Sequence, residues 1–252
     1  MKTLRDTWLI FSRSLWLTLR QPVWVLFGLM VPVIYLVFFG PLLEGATASA
    51  GTGTSAFNWF VPGLLIQIAM FGSAYAGFGL VAELRYGVVE RMRVTPISRV
   101  AMLLGRSLRD SVILVAQAIV LIVLSIPFGL AIDPLGVIPA LGLLGLIGLG
   151  FAPLSYALGL VLRTEDAIAP VINGVSLPLL LLSGILLPMS LAPDWLRTLS
   201  TLNPLTHGVD AVRALFNGDW GNPEIVIGVA VASALAVVAL WVGSRAFSRA
   251  AA

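Results

Sequence analysis

The sequence predicts an all-α integral membrane protein with six transmembrane helices. Hydrophobic residues fill 59% of the 252 positions and charged residues only 11%, whereas a soluble domain carries about 25% charge. Six uncharged stretches separate the charges, and each is at least as long as the ~20 residues that a helix needs to cross the hydrocarbon layer. The predicted spans are residues 23–43, 59–82, 111–132, 135–162, 167–188 and 225–244.

The basic residues between these spans predict the orientation of the chain. If the N-terminus faces the cytoplasm, 13 of the 15 lysines and arginines lie on the cytoplasmic side, and only Arg197 and Arg213 lie outside. The positive-inside rule favours this orientation, which also places the C-terminus in the cytoplasm. We therefore expect a multi-pass protein of the cell (inner or plasma) membrane. Because the basic residues form no single patch, no nucleic-acid partner is expected.

Residues 1–21 are predicted to form an amphipathic helix that lies on the membrane surface. Charges interrupt the apolar run, so the segment is not a cleavable signal peptide. A general membrane anchor and a specific role in transmitting motion both remain open. Pro22 should end this helix before the first span. Its two faces are Leu4, Trp8, Phe11, Leu15 and Leu19 on the apolar side, and Arg5, Asp6, Arg13 and Arg20 on the polar side.

The loops around the second span differ sharply in composition. Residues 45–55 are rich in Gly, Ala, Ser and Thr, which predicts a mobile outer link without a fold of its own. Residues 83–99 form the most charged segment and the main cytoplasmic loop. Gly87 can bend this loop, and Pro96 ends it before the third span. Its apolar and charged edges suit a partner's groove, although an ordinary solvated loop has the same composition.

The second half of the chain carries helix-packing and helix-breaking signals. Asp133-Pro134 predicts a tight outer turn, and the glycines of the fourth span predict a helix-packing face. Pro170, Pro178 and Pro188 predict a kinked or broken fifth span. Residues 189–222 are too polar to span the membrane and too apolar to be free in water. We expect them to form short re-entrant helices in the outer leaflet.

Residue counts exclude most catalytic sites. Lys2 is the only lysine, so the chain has no phosphate-binding loop of the Walker A type, and energy from ATP would have to come from another subunit. The chain has no cysteine and one histidine, which excludes thiolate and zinc chemistry. We predict no catalytic, cofactor-binding or metal site. An intramembrane protease using Ser176 and His207 is the enzyme alternative, although His207 falls outside the spans.

An ion-coupled carrier usually places an ionisable group within a span, and none lies in the middle of these six. An ATPase-independent secondary carrier or channel is therefore a weaker alternative. Gln67, Gln117 and Asn173 are the polar residues at membrane depth. Their amides suit hydrogen bonds between helices and, less often, contacts with a substrate.

Three segments carry a motif pattern that extends over nearly the whole chain. The first is residues 83–99, with Gly87, the Glu90-Arg91 pair and Thr95-Pro96-Ile97-Ser98. The second is residues 182–188 followed by 193–196, and the third is residues 203–213. Together these segments resemble the type-two permeases of ATP-binding-cassette exporters, in particular the daunorubicin-resistance kind. Leu84 and His207 depart from the pattern.

The resemblance implies one transmembrane permease domain over residues 1–252. A second permease chain, identical or different, would complete the pathway, and two soluble ATPase subunits would bind ATP and Mg. The amphipathic helix would be a connecting helix, and a coupling helix within residues 83–99 would enter the ATPase groove. The residues implied in coupling are Glu83, Arg85, Gly87, Glu90, Arg91, Arg93, Thr95 and Pro96.

The same resemblance places a substrate cavity between the second and fifth spans and a signature segment on the outer side. A mostly apolar wall with a few amides predicts export of amphipathic drugs or lipid-like molecules, and a polysaccharide exporter is the alternative. The implied wall residues are Gln67, Met70, Phe71, Asn173, Ser176 and Leu177. The implied outer residues are Ser183, Gly184, Pro188, Asn203, Pro204, Asp210 and Arg213, and the last two should pair across one helical turn.

Overall fold

The computed structural model describes residues 2–20, 22–50, 56–87, 97–185, 189 and 192–249, and within them helices are joined by turns and short irregular segments, with no strand. Six helical segments are long and apolar enough to cross a membrane, which confirms the predicted number of spans. The helices are α1 Lys2–Leu19, α2 Pro22–Ala50, α3 Ala56–Ala74, α4 Ala76–Arg85, α5 Arg99–Ser125, α6 Pro134–Leu162, α7 Glu165–Leu182, α8 Asp194–Thr201, α9 Pro204–Phe216 and α10 Pro223–Arg249.

Two predictions about where helices begin and end are wrong. The first apolar span ends at Glu44, close to the predicted residue 43, but no loop starts at Gly45, because α2 continues to Ala50 through alanines that favour a helix and with no proline to stop it. Residues 51–55 lie outside the described part of the chain. The third span begins at Arg99 rather than at Ser111, because charged side chains that face protein rather than lipid can continue a helix.

The predicted break in the fifth span is absent from its described residues, and a kink there stays a prediction. The fifth span, α7, is one continuous helix through Pro170 and Pro178, and Pro188 lies outside the described residues. A break occurs instead in the second span, where Tyr75 separates α3 from α4. The connection between the third and fourth spans is longer than the predicted tight turn at Asp133-Pro134, because it includes the 3₁₀ helix Ile126–Phe128. Asp133 instead caps α6, since its carboxylate accepts a hydrogen bond from the Leu135 amide.

The main core surrounds α3. Almost every residue of α3 is buried, and its apolar side chains pack with those of α2, α5, α6 and α9. The predicted glycine face of α6 is confirmed in part. Gly148 packs against Leu114 of α5 and Gly150 against Leu235 of α10, whereas nothing lies near Gly142. Glycine at the packed positions lets the helix backbones approach closely.

The N-terminal helix α1 packs along α5. A side chain on Gly105 of α5 would collide with Thr7 and Ile10, which are buried together with Asp6. The predicted apolar face lies on the opposite side, where Leu4 and Trp8 are exposed. A surface location for α1 stays a prediction.

Two short helices, α8 and α9, connect the fifth span to the sixth. Asn203 caps α9 by accepting a hydrogen bond from the Leu205 amide, and Pro204 occupies the first helical position. Re-entry of these helices into the outer leaflet stays a prediction.

Candidate functional site

An exposed face of spans two and five carries aromatic rings beside an amide. The Tyr75 hydroxyl donates a 2.7 Å hydrogen bond to Asn173 Oδ1 on α7. The Tyr75 ring stacks with Phe71, with centroids 6.2 Å apart and planes 15° apart, and lies 5.4 Å from the ring of Phe78. Leu177 is exposed one helical turn beyond Asn173. These residues form the aromatic–amide face: Phe71, Tyr75, Phe78, Asn173 and Leu177.

Three of the six residues predicted to line the cavity are not on this face. Gln67 is 4% exposed, Met70 is 0% exposed and Ser176 is 4% exposed, so all three lie within the packed chain. No described residue forms a hydrogen bond with Gln67 Oε1. Their roles as wall residues stay predictions.

Sequence reasoning missed Tyr75 and Phe78 as members of the face. Phe71, Tyr75 and Phe78 follow each other at helical spacing, with small Gly72 and Gly79 on the same exposed part of the span. That spacing was a usable signal, because residues four and three apart on a helix are neighbours.

The face offers two kinds of interaction to a small molecule. Aromatic rings provide apolar area and stacking surfaces. Asn173 uses its carbonyl oxygen for Tyr75, and no described residue accepts a hydrogen bond from its NH₂ group. Because Asn173 is exposed, this NH₂ group is accessible to a polar atom that enters.

A buried charged cluster at the end of the spans that is predicted to face the cytoplasm was also missed. Arg106, 3% exposed, forms an ion pair of 2.5 Å with Glu83 at the end of the second span. Arg109 contacts Asp110 at 3.2 Å and donates to the Thr18 hydroxyl at 3.2 Å. The cluster therefore joins α1, α4 and α5. The predicted third span began at Ser111, which placed Arg106, Arg109 and Asp110 in a loop. Their burial could therefore not be predicted.

The fourth span completes this cluster through Tyr156. Its hydroxyl donates a hydrogen bond to Asp110 and accepts one of 3.4 Å from Arg109. The neutral phenol therefore donates one hydrogen bond to the carboxylate of Asp110 and accepts one from the guanidinium of Arg109.

The predicted coupling residues are described only up to Gly87. Glu83 pairs with Arg106, Arg85 lies 3.8 Å from Glu165 across an exposed surface, and Gly87 adopts a left-handed φ of 66°. The left-handed backbone explains the glycine and turns the chain at the end of α4. The remaining coupling residues, Glu90, Arg91, Arg93, Thr95 and Pro96, lie outside the described residues.

On the predicted outer side, the expected Asp210–Arg213 ion pair is present at 3.0 Å. Arg213 also donates to the carbonyl oxygens of Trp59 at 3.1 Å and Gly184 at 2.9 Å. Burial lowers the pKa of Arg213, and the charge of Asp210 opposes that shift. Burial likewise raises the pKa of Asp210 despite the neighbouring guanidinium. One side chain thus holds α9 to the second span and to the turn after α7.

Two further predicted outer residues fix that turn. The Ser183 hydroxyl donates to the Leu180 carbonyl at 2.6 Å, and the Asn203 side chain donates to the Leu179 carbonyl at 2.7 Å. Gly184 has a left-handed φ of 70°, which suits glycine.

His207 bridges three elements of the outer segment. Its Nδ1 lies 3.0 Å from Glu224 Oε2 on α10, and its Nε2 lies 3.1 Å from the Thr201 carbonyl oxygen on α8. Burial lowers the pKa of His207, but hydrogen bonds to Glu224 and Thr201 and the nearby carboxylates outweigh burial and raise it. Since both nitrogens face groups other than Ser176, the structure assembles no serine–histidine pair for proteolysis.

Comparison with known proteins identifies the family. The family model described as ABC-2 type transporter matches residues 5–217. A protein of Cyanophora paradoxa, named as a transport permease, ycf38, is 29% identical over 201 residues, covering 79% of this chain and 69% of that protein. The daunorubicin resistance ABC transporter permease protein DrrB1 of Streptomyces coeruleorubidus is 27% identical over 219 residues, covering 86% of this chain and 77% of that protein.

A third similar protein is named as a probable doxorubicin resistance ABC transporter permease, DrrC, of Mycobacterium tuberculosis. It is 25% identical over 203 residues, covering 79% of this chain and 72% of that protein. The family match covers residues 5–217, which is most of the chain and includes five of the six apolar helical segments. The chain therefore belongs to the ABC-2 type transporter family, the membrane permease subunits of ABC transporters.

Proposed function

We propose that this chain forms the translocation pathway of an exporter for amphipathic drugs or lipid-like molecules. Two permease chains in the cell membrane, with their termini in the cytoplasm, act with two soluble ATPase subunits that bind ATP and Mg. The observation that carries the proposal is the aromatic–amide face, which lies exposed on spans two and five of an ABC-2 permease.

The chemistry of this face supports an amphipathic cargo. Phe71, Tyr75 and Phe78 present a continuous aromatic surface, which stacks well on planar or apolar groups. Asn173 adds one hydrogen-bond donor in the same place, and such a donor orients a molecule that has a polar end. The names of two similar proteins, which refer to daunorubicin and doxorubicin resistance, support the same class of cargo.

The cytoplasmic end supports the coupling part of the proposal. Helix α4 carries Glu83 and leads directly into residues 88–96, the segment proposed to enter the ATPase groove. The Glu83–Arg106 pair ties that end to α5, and Arg109 ties α5 to α1. A push on the segment would therefore reach several helices at once.

The proposal is tested in proteoliposomes that contain the permease and the ATPase subunit isolated with it from native membranes. Daunorubicin and a fluorescently labelled phospholipid serve as probes. We expect ATP-dependent accumulation of at least one probe, and Asn173→Leu should reduce accumulation of that probe several-fold. Leu135→Ala, at an exposed position in the first turn of α6, is the control. Probe transport without the ATPase subunit, or ATP hydrolysis by the permease alone, would contradict the proposal.

A further inference from the structure

The hydroxyl of Ser155 on the fourth span forms hydrogen bonds with the backbone at the break in the second span. In an unbroken helix the Gly77 amide would donate to the Ser73 carbonyl, and the Ala74 carbonyl would accept from Phe78. Here the Gly77 amide donates to Ser155 Oγ at 2.8 Å, and the same hydroxyl donates to the Ala74 carbonyl. The Phe78 amide turns to the Tyr75 carbonyl at 3.1 Å. Ser155 thus satisfies two of the backbone groups released by the break, the Gly77 amide and the Ala74 carbonyl, and membrane-embedded backbone needs such partners.

The two helices meet at this point with almost no space between them. A side chain on Gly77 would collide with the backbone and hydroxyl of Ser155, and one on Gly159 would crowd the Gly77 carbonyl at 3.1 Å. Ser155 is buried, so water does not compete for its hydroxyl. The fourth span therefore packs directly against the second span at the break.

The two pieces of the second span differ in how firmly they are held. Nearly all of α3 is buried in the main core, whereas only Gly77, Leu80 and Val81 of α4 are buried. The α4 piece ends at Arg85, close to the segment that we propose to contact the ATPase. A fixed outer piece and a less buried inner piece, joined at a break, have the arrangement of a hinge.

The break is also connected to the aromatic–amide face. Tyr75 is the residue that separates α3 from α4, and its hydroxyl is bound to Asn173 on α7. The ring of Tyr75 is 37% exposed, so this bond lies at the edge of the packed chain rather than in the core.

We propose that Ser155 and Tyr75 are positioning residues for a hinge in the second span. Ser155 sets the angle of α4 against the fourth span, and the Tyr75–Asn173 bond holds the pivot to the fifth span. The functional part of this inference, that α4 carries motion between the ATPase and the pathway, rests on the proposed function. The geometric part stands on the break itself.

Spin labels test the geometric part directly, because the chain has no cysteine of its own. Tyr86→Cys at the end of α4 and Val238→Cys on α10 provide two exposed positions for nitroxides. In lipid nanodiscs we expect Ser155→Ala to shift the mean distance between labels by about 2 Å or more, the scale of helix displacements in switching proteins. Tyr75→Phe should broaden the distance distribution, because it removes the second tether and keeps the ring.

The matched control is Ser125→Ala, which removes a buried hydroxyl that bonds only within its own helix, to the Leu121 carbonyl at 2.7 Å. Distance distributions for Ser155→Ala and Tyr75→Phe that match this control would overturn the hinge. If Ser155→Ala does not fold, Tyr75→Phe decides alone, because its ring lies at the edge of the core.

A second measurement distinguishes a positioning role of Ser155 from a simple contribution to the stability of the fold. In the reconstituted complex, Ser155→Ala should lower the daunorubicin transported per ATP hydrolysed several-fold while KM for daunorubicin stays unchanged. An unchanged ratio would overturn the functional part of the inference. If the unaltered complex transports no daunorubicin, the proposed cargo fails, and the spin-label distances still decide the hinge.

Discussion

The guanidinium of Arg213 binds Trp59 in two ways at once. Its Nε donates to the Trp59 carbonyl oxygen at 3.1 Å, and its carbon lies 4.3 Å from the centroid of the Trp59 ring. The remaining nitrogens reach Asp210 and the Gly184 carbonyl. One side chain therefore connects the outer helix α9, the start of the second span and the turn after the fifth span.

Replacing Arg213 should loosen the outer segment. Arg213→Lys keeps the charge but cannot direct donors to three acceptors, so we expect a loss of about 1–3 kcal/mol in the free energy of unfolding. Thermal unfolding in detergent measures the change. Arg197→Lys, at an exposed pair of 3.9 Å, is the control and should change little. Equal effects of the two substitutions would argue against the role of Arg213.

The Glu83–Arg106 pair predicts an asymmetry between single and double substitutions. Glu83→Gln leaves the buried Arg106 guanidinium without its closest carboxylate, and we expect a loss of ~1–3 kcal/mol because Glu83 is itself 36% exposed. The double variant Glu83→Gln with Arg106→Met should lose less than the sum of the single losses. A double-mutant cycle measures the coupling, with Arg85→Gln as the exposed control. Additive losses would show that the pair is not coupled.

His207 predicts a pH dependence of stability. A backbone carbonyl and a carboxylate both accept hydrogen bonds, so the geometry around the ring is satisfied by an imidazolium that donates from both nitrogens. The raised pKa of folded His207 means that its contribution is fully present below the unfolded pKa of about 6.5 and is lost as pH rises through the folded value. The outer segment should therefore be more stable at pH 6 than at pH 9.

Melting temperature measured from pH 5 to pH 9 tests this prediction. His207 is the only histidine, so His207→Gln should remove the change in this range, and Glu224→Gln should reduce it. A pH profile that is the same in His207→Gln as in the unaltered chain would contradict the prediction.

The proposed coupling segment predicts a selective loss of ATPase binding. Glu90→Arg combined with Arg91→Glu reverses two charges without changing the net charge, so membrane insertion should be unchanged while co-purification with the ATPase subunit falls. Asp194→Arg with Arg197→Glu is the matched reversal on the predicted outer side. Undiminished co-purification and transport in the first variant would remove residues 83–99 from the coupling role.

The number and order of the spans could be predicted because lipid imposes a simple rule on length and polarity. That rule says where a helix can lie in lipid, but it does not say where the helix ends. The helix of the third span starts at Arg99, twelve residues before the predicted start at Ser111. It can do so because Arg106 and Asp110 face protein partners rather than lipid. Partners that lie far apart in sequence, such as Tyr156 and Asp110, are fixed only by the packed structure.

The aromatic–amide face also depends on contacts between residues that lie far apart in the sequence. Asn173 could be singled out because an amide is conspicuous within an apolar span, whereas Phe71 was implied only by the family resemblance. The break at Tyr75 was not predicted, since the residue that stabilises it, Ser155, lies on another helix and carries no local signal. Conversely, Pro170 and Pro178 gave a strong local signal, yet α7 continues through both.

Labelling of single cysteines from each side of the membrane tests the central claim most directly, namely that one face of this six-span chain is basic and receives the ATPase. Arg91→Cys and Arg197→Cys are introduced one at a time into the cysteine-free chain and exposed to a membrane-impermeant maleimide in oriented vesicles. The account predicts that Arg91→Cys reacts only from the cytoplasmic side and Arg197→Cys only from the outer side. Reaction of Arg91→Cys from the outer side would contradict it.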